Sequence, residues 1–222
     1  MREIEGSGRR SDGVACFARL YLSVTESVAE ERGQFADPHF LERLDVEFAN
    51  LFFAALDAPT PPHAWAPLLS ARSSKGIAPL QFALAGMNAH INADLPVALV
   101  AAWQALGIQP EDGSPEHADY ERVNALLARV EAKVKASYLT GFVAVLDRIL
   151  HRLDRIDDVV AMWDVRRARD AAWTNAEVLW SLREEAGLRR QFLTTLDRMV
   201  GLGSRGLLVP AETRLRKLAR KL

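Results

Sequence analysis

A single cysteine, Cys16, stands in a chain of 222 residues. No intramolecular disulfide is therefore available, and the sequence fits a reducing, cytoplasmic setting. Long apolar runs are missing as well. Even Leu95 to Leu106 is interrupted by Gln104, short of the roughly 18 residues a membrane span needs, so no transmembrane segment is expected. Charge of one sign is not in excess: 28 Lys and Arg face 29 Asp and Glu, a net charge of -1. That leaves no broad basic field for nucleic acid. Met1 to Asp12 is charged and glycine-rich and has no apolar core of the kind a secretory signal carries. The HExxH, paired ExxH, CxxC and GxSxG patterns are all absent, which removes the motif-based routes to a zinc protease, a di-iron site, a redox pair or a serine nucleophile. No stretch alternates at period two, and no tandem helix pair repeats. These absences predict an all-α, single-domain bundle of about seven to nine helices over residues 1–210, followed by a basic tail over 211–222.

What is present centres on Gly86-Met87-Asn88-Ala89-His90-Ile91-Asn92-Ala93-Asp94-Leu95-Pro96. This stretch lies inside the least polar part of the chain, Ile77 to Leu106. It carries two amides, a histidine and a carboxylate, groups that must find partners when buried. Helical spacing puts Gln81, Ala85, Asn88 and Asn92 on one stripe and His90 with Asp94 on the opposite side. Small residues elsewhere let neighbours approach, and no solvated face is visible, so this is expected to be a central, enclosed helix. Pro96 cannot donate to residue 92. The helix should kink there, or stop near Asn92 and restart with Asp94 as N-cap.

Further inward polar residues come from other segments. Asp45 points into the face formed by Leu41, Leu44, Phe48, Leu51 and Phe52; it reads either as half of a buried ion pair with an arginine or as a functional acid. His117 and Asn124 lie on or beside the buried edge of the helix that carries Tyr120. Arg169, Asp170, Trp173 and Asn175 belong to a tryptophan-rich helix. A final helix is expected to bury Leu188, Phe192, Leu196, Met199 and Val200. It ends in Gly201-Leu202-Gly203-Ser204-Arg205-Gly206. This matches GxGxxG literally, but no strand precedes it, so it reads as a flexible turn and not as a dinucleotide loop. Cys16 falls off the apolar stripe of the first helix.

Bundles build interior sites from facing helices. His90 and Asp94, four residues apart, suit an acid–base residue with its orienting carboxylate. Together with Asp45 and His117 they would suit a divalent metal, Zn, Fe or Mn. The same residues also fit a satisfied core network that fixes helix register.

GMNAHINADLP, SPEHADYERVN at 114–124 and WDVRRARDAAWTNAEVLW at 163–180 resemble an uncharacterised bacterial family, mainly actinobacterial, of unknown function. The resemblance runs from about Val14 to Pro210. It implies a stand-alone helical domain with no established activity. Its motif residues fall on Asn88, His90, Asn92 and Asp94, on His117, Asp119, Tyr120 and Asn124, and on Arg169, Trp173 and Asn175. Of these, Asp119 is the one that helical spacing leaves off the buried stripe.

The expectation is a soluble helical enzyme acting on a small or lipid-like molecule, an acid–base or metal-assisted hydrolase, lyase or cyclase. His90, Asp94 and Asp45 would carry the chemistry. Asn88, Asn92, His117, Tyr120, Asn124, Arg169, Trp173 and Asn175 would line a pocket of tryptophans and leucines, with Arg169 holding an anionic group. The alternative is a non-catalytic small-molecule-binding or interaction protein in which the polar cluster is structural.

Overall fold

A computed structural model describes residues 12–127 and 165–210. The spacing of Phe142, Val145, Leu146, Ile149 and Leu153 predicts a further helix; it and the basic tail lie outside these residues. The described elements are α1 (Gly13–Glu30), a 3-10 turn (Arg32–Gln34), α2 (Pro38–Asp57), α3 (Ala66–Ala71), α4 (Pro79–Ala89), a π-helical turn (His90–Asp94), α5 (Leu95–Leu106), α7 (Val165–Ser181) and α8 (Ala186–Leu207). Between α5 and α7 lies α6, which begins at 115 and is described as far as 127. The architecture is all-helical, with no strand among the described residues.

The centre is the rod α4–π–α5. Its first half is flanked by α1 and α8, its second half by α2 and α7, and the π turn meets α2, α7 and α8. Pro96 explains the π turn. In an α-helix residue 96 would donate to Asn92, and proline has no N–H to give. Here the helix neither stops nor restarts at this point. Instead the N–H of Leu95 reaches back five residues to the carbonyl of His90. Asp94 lies in the helical region and its side chain caps nothing, so the expected restart at Asp94 is not what forms. The carboxylate is thereby left available for tertiary contacts. Gly107 closes α5 in the left-handed conformation, φ 68°.

The neighbours of the rod are fixed by polar anchors. Asp12 caps α1 by accepting from Val14 and Ala15 N–H (3.0 and 3.1 Å) and pairs with Arg72 at 2.8 Å. Asp37 caps α2 ahead of Pro38. Asp119, 1% exposed, reaches from α6 and accepts the N–H groups of Ala36 (2.9 Å) and Asp37 (2.6 Å). It therefore fixes the start of α2 from across the fold. The polar stripe of α4 fastens the rod to α8. Gln81 donates to the carbonyls of Leu207 and Val209 at 2.7 and 3.0 Å. Asn88 donates to Val200 O and Ser204 Oγ, both at 3.0 Å.

Two apolar clusters flank the π turn. One gathers Trp65, Leu68, Phe17, Phe52 and Val200 around α4. The other gathers Phe40, Leu44, Leu99, Trp103, Tyr120 and Trp173 around α5. Phe48, Met87 and Phe192 touch both. Each such large side chain contributes about 1.5–3 kcal/mol when fully buried. Three expectations are corrected here. Cys16 is fully buried, whereas Leu188 and Met199 are 55% and 57% exposed; among the described residues α8 packs chiefly on α3, α4 and the π turn. Residues 201–206 form no turn and continue α8.

Candidate functional site

The π turn delivers His90 to the junction of the two clusters, where it is 2% exposed. Phe48 stacks flat on the imidazole, with centroids 3.4 Å apart and planes 5° from parallel. Tyr21 approaches edge-on at 4.6 Å, and Phe17, Phe52 and Trp65 complete an aromatic cage at 5.5–6.1 Å. Nδ1 of His90 lies 3.0 Å from Oδ2 of Asp94, and Trp65 Nε1–H donates to the same oxygen at 3.0 Å. An indole N–H can only donate, so Oδ2 is an acceptor. The matching imidazole tautomer donates Nδ1–H and keeps a lone pair on Nε2. Nε2 is buried and meets no hydrogen-bond partner among the described residues. Burial pulls the His90 pKa down against the opposing pull of Asp94, which favours the neutral ring. Burial likewise pushes the Asp94 carboxyl up, with His90 and Trp65 working against it.

A cavity of about 220 Å³ opens beside this ring. Its walls come from α1 (Tyr21, Val24, Thr25), α2 (Leu41, Leu44, Asp45, Phe48), the rod (Met87, His90, Ile91, Leu95), α6 (Val123, Leu127) and α7 (Arg169). The Arg32–Glu42 ion pair stands at its edge. Among the described residues Asp45 does not find the arginine that one reading gave it. Its hydrogen bond is a long one, 3.5 Å from the Tyr21 hydroxyl, and burial raises its pKa with Tyr21 opposing. The same burial, with the Asp45 charge added, raises Tyr21.

The sign of the Asp45 effect is open to test. A carboxyl raised by folding favours the native state fully below its unfolded pKa, 3.8. That advantage disappears as pH rises through the folded value. At pH 7 the half-buried charge has no cation among the described residues, so Asp45→Asn should stabilise the protein by on the order of 1 kcal/mol. The gain should vanish near pH 4. Urea melts at the two pH values check this, and equal losses at both would mean the charge is held by a partner.

The other expected site residues separate into two networks. Asn88 and Asn92 belong to the α4–α8 seam, with Asn92 donating to Asn88 Oδ1 at 3.1 Å, and neither faces the cavity. His117 is turned away from His90. Its Nδ1 accepts from Gly113 N–H at 2.9 Å, and its ring packs 4.5 Å from Trp173. Trp173 meets Trp103 edge-on and Tyr120 at a tilt, both with centroids 5.0 Å apart. Trp103, Trp173 and Trp180 thus fill the core around α5, and the expected tryptophan lining of the cavity is replaced by Phe, Leu and Val. Tyr120 and Arg169 are bonded reciprocally, Tyr120 Oη to Arg169 O at 2.7 Å and Arg169 Nη2 to Tyr120 O at 2.8 Å. Arg169 Nε donates to Asn124 Oδ1 at 2.7 Å. Burial pushes the Tyr120 hydroxyl up to about 12 despite Arg169. Asn175 is half-buried on α7.

The Zn, Fe or Mn donor set expected from His90, Asp94, Asp45 and His117 does not assemble. Among the described residues no group of three or more His, Cys, Asp or Glu side chains could hold a metal ion. Tyr21, Thr25 and Phe48 were not singled out by sequence as site residues. Phe17 and Tyr21 sit on the apolar stripe of α1, the signal of a core residue, and nothing in that pattern names the cavity they border.

The fold and site define an all-helical protein with a largely apolar pocket beside a histidine–carboxylate pair. Residues 1–210 match a family of unknown function, DUF5995, and the chain belongs to it. No curated protein and no solved structure matches the chain. No helix among the described residues is long and apolar enough to cross a membrane.

Proposed function

We propose that this protein binds a small, mostly apolar molecule in the cavity between α1, α2, the π turn, α6 and α7. The observation that carries the reading is the cavity wall itself. Interiors are normally packed without gaps. Here about 220 Å³ is kept open beside the His90 ring and next to Asp45, which is weakly bonded. Mostly apolar walls with a few convergent polar groups are the usual form of a ligand site. An apolar cavity of about 150 Å³ already admits benzene, so a ligand of roughly ten non-hydrogen atoms fits this one. The single cysteine suits a reducing, cytoplasmic setting.

The test uses 1-octanol as a neutral probe, followed by calorimetry. The wild type should bind with a dissociation constant of about 1 mM or tighter. Val24→Trp, which fills the cavity from half-buried Val24 on α1, should weaken binding at least about tenfold with helicity unchanged. No binding by the wild type, or equal binding by the variant, overturns the reading.

The His90 geometry favours a second reading, an acid–base enzyme of the hydrolase, lyase or cyclase kind. Asp94 fixes the tautomer, which leaves Nε2 as a general base, and Asp45 is the second acid on the same wall. Nitrogen NMR of the imidazole is the measurement. A bound ligand that gives Nε2 a hydrogen bond supports this reading, and an Nε2 signal that does not move removes it.

A further inference from the structure

We propose that the ligand of this cavity is a medium-chain monocarboxylate whose head is received by Arg169. This inference rests on the small-molecule reading above and names its chemical class. Arg169 is 6% exposed and forms part of the cavity wall. A guanidinium cannot shed its proton to escape burial, so a buried one needs a counter-charge. No carboxylate supplies it among the described residues. The partners of Arg169 are neutral: Asn124 Oδ1, the Tyr120 carbonyl and the Tyr120 ring, 4.0 Å beneath its central carbon. Those contacts occupy Nε and one position on Nη2, and they fix the plane of the fork. Nη1 has no hydrogen bond to the described residues. A planar fork held on one edge suits a carboxylate.

The rest of the wall sets the other end of the molecule. Val123, Leu127, Ile91 and Leu95 line the same cavity with apolar surface, which accepts an alkyl chain and offers nothing to a second charge. Asp45 and Glu42 lie on α2, and Glu42 is already paired with Arg32. The Arg32 and Glu42 charges offset each other, so the Asp45 carboxyl disfavours an anionic head beside α2 and orients the ligand toward α7. The open volume limits the chain to about ten non-hydrogen atoms, the size of octanoate.

Octanoate, 1-octanol and octylamine have the same chain length and differ in head charge. Calorimetric titration of the wild type at pH 7.5 should find octanoate at least about tenfold tighter than octanol, and octylamine weakest. Arg169→Met should bring octanoate down to the octanol level while octanol binding is kept. Arg169 also ties α6 to α7, so helicity is measured alongside; if the variant does not fold, the three-ligand series on the wild type decides alone. Octanol binding as well as or better than octanoate overturns the carboxylate and leaves the small-molecule reading standing. No binding by any of the three removes both.

Discussion

Asp94→Ala is expected to lower stability by roughly 3–5 kcal/mol, from the loss of one acceptor shared by two buried donors. Trp65 Nε1–H and His90 Nδ1–H both end on Oδ2, and each donor left unpaired in the interior costs about 1–3 kcal/mol. Trp65 is fully buried and His90 nearly so, so water has little access to replace the lost oxygen. For a chain of this size the melting temperature should drop by about 10 °C. Asp94→Asn separates hydrogen bonding from charge. Its amide oxygen can still accept one of the two donors, and it removes a carboxyl that burial already disfavours. Its loss should therefore be less than half that of alanine. A thermal melt in which Asp94→Ala falls within about 1 kcal/mol of the wild type would show that the Trp65–Asp94–His90 chain does not hold this junction.

Gly201→Ala should be the second large effect, and its sign is the informative part. Glycine to alanine inside a helix ordinarily stabilises by about 0.5–1 kcal/mol. A Cβ at 201 would sit 2.3 Å from the carbonyl oxygen of His63 and 2.8 Å from its carbon. Those are backbone atoms and cannot rotate aside. The loop they belong to is also tied down, since Asp197 accepts the N–H groups of His63 and Ala64 at 3.0 and 2.8 Å, and Ser204 donates to Ala64 O at 3.2 Å. Alanine must push α3 and Trp65 away from α8, at about 3 kcal/mol. Gly187→Ala on the same helix, with nothing within 4 Å of the added carbon, serves as the control and should be neutral or stabilising. Equal behaviour of the two variants in chemical denaturation would sink the close-approach argument.

Periodicity made the faces of the helices legible and left their partners open. The Gln81, Asn88 and Asn92 stripe followed from spacing alone, yet nothing in that spacing says that it meets the carbonyls of α8. His117 does turn inward, but toward Trp173 and not toward His90. Asp45 was legible as an acid in an apolar face. Whether an arginine met it depended on which helix lay opposite, and that helix brings Tyr21. Asp119 was missed for a related reason. Helical spacing judges burial along one helix, whereas Asp119 is buried by the chain turning into α2 above it. The π turn replaced the expected break at Pro96 because a five-residue step satisfies Leu95 while the chain continues.

That turn has a consequence for how the rod meets its surroundings. It holds an extra residue relative to the helices before and after it, so the two halves of the rod are out of phase by about 100° compared with one uninterrupted helix. The upstream half is indexed to α1 and α8, the downstream half to α2 and α7. The segment His90–Asp94 acts as a gear tooth between two differently timed sets of contacts. Length in this stretch is therefore constrained as well as composition: a residue exchanged there alters the contacts of one side chain, whereas a residue added or removed would put one whole half of the rod out of register with its neighbours.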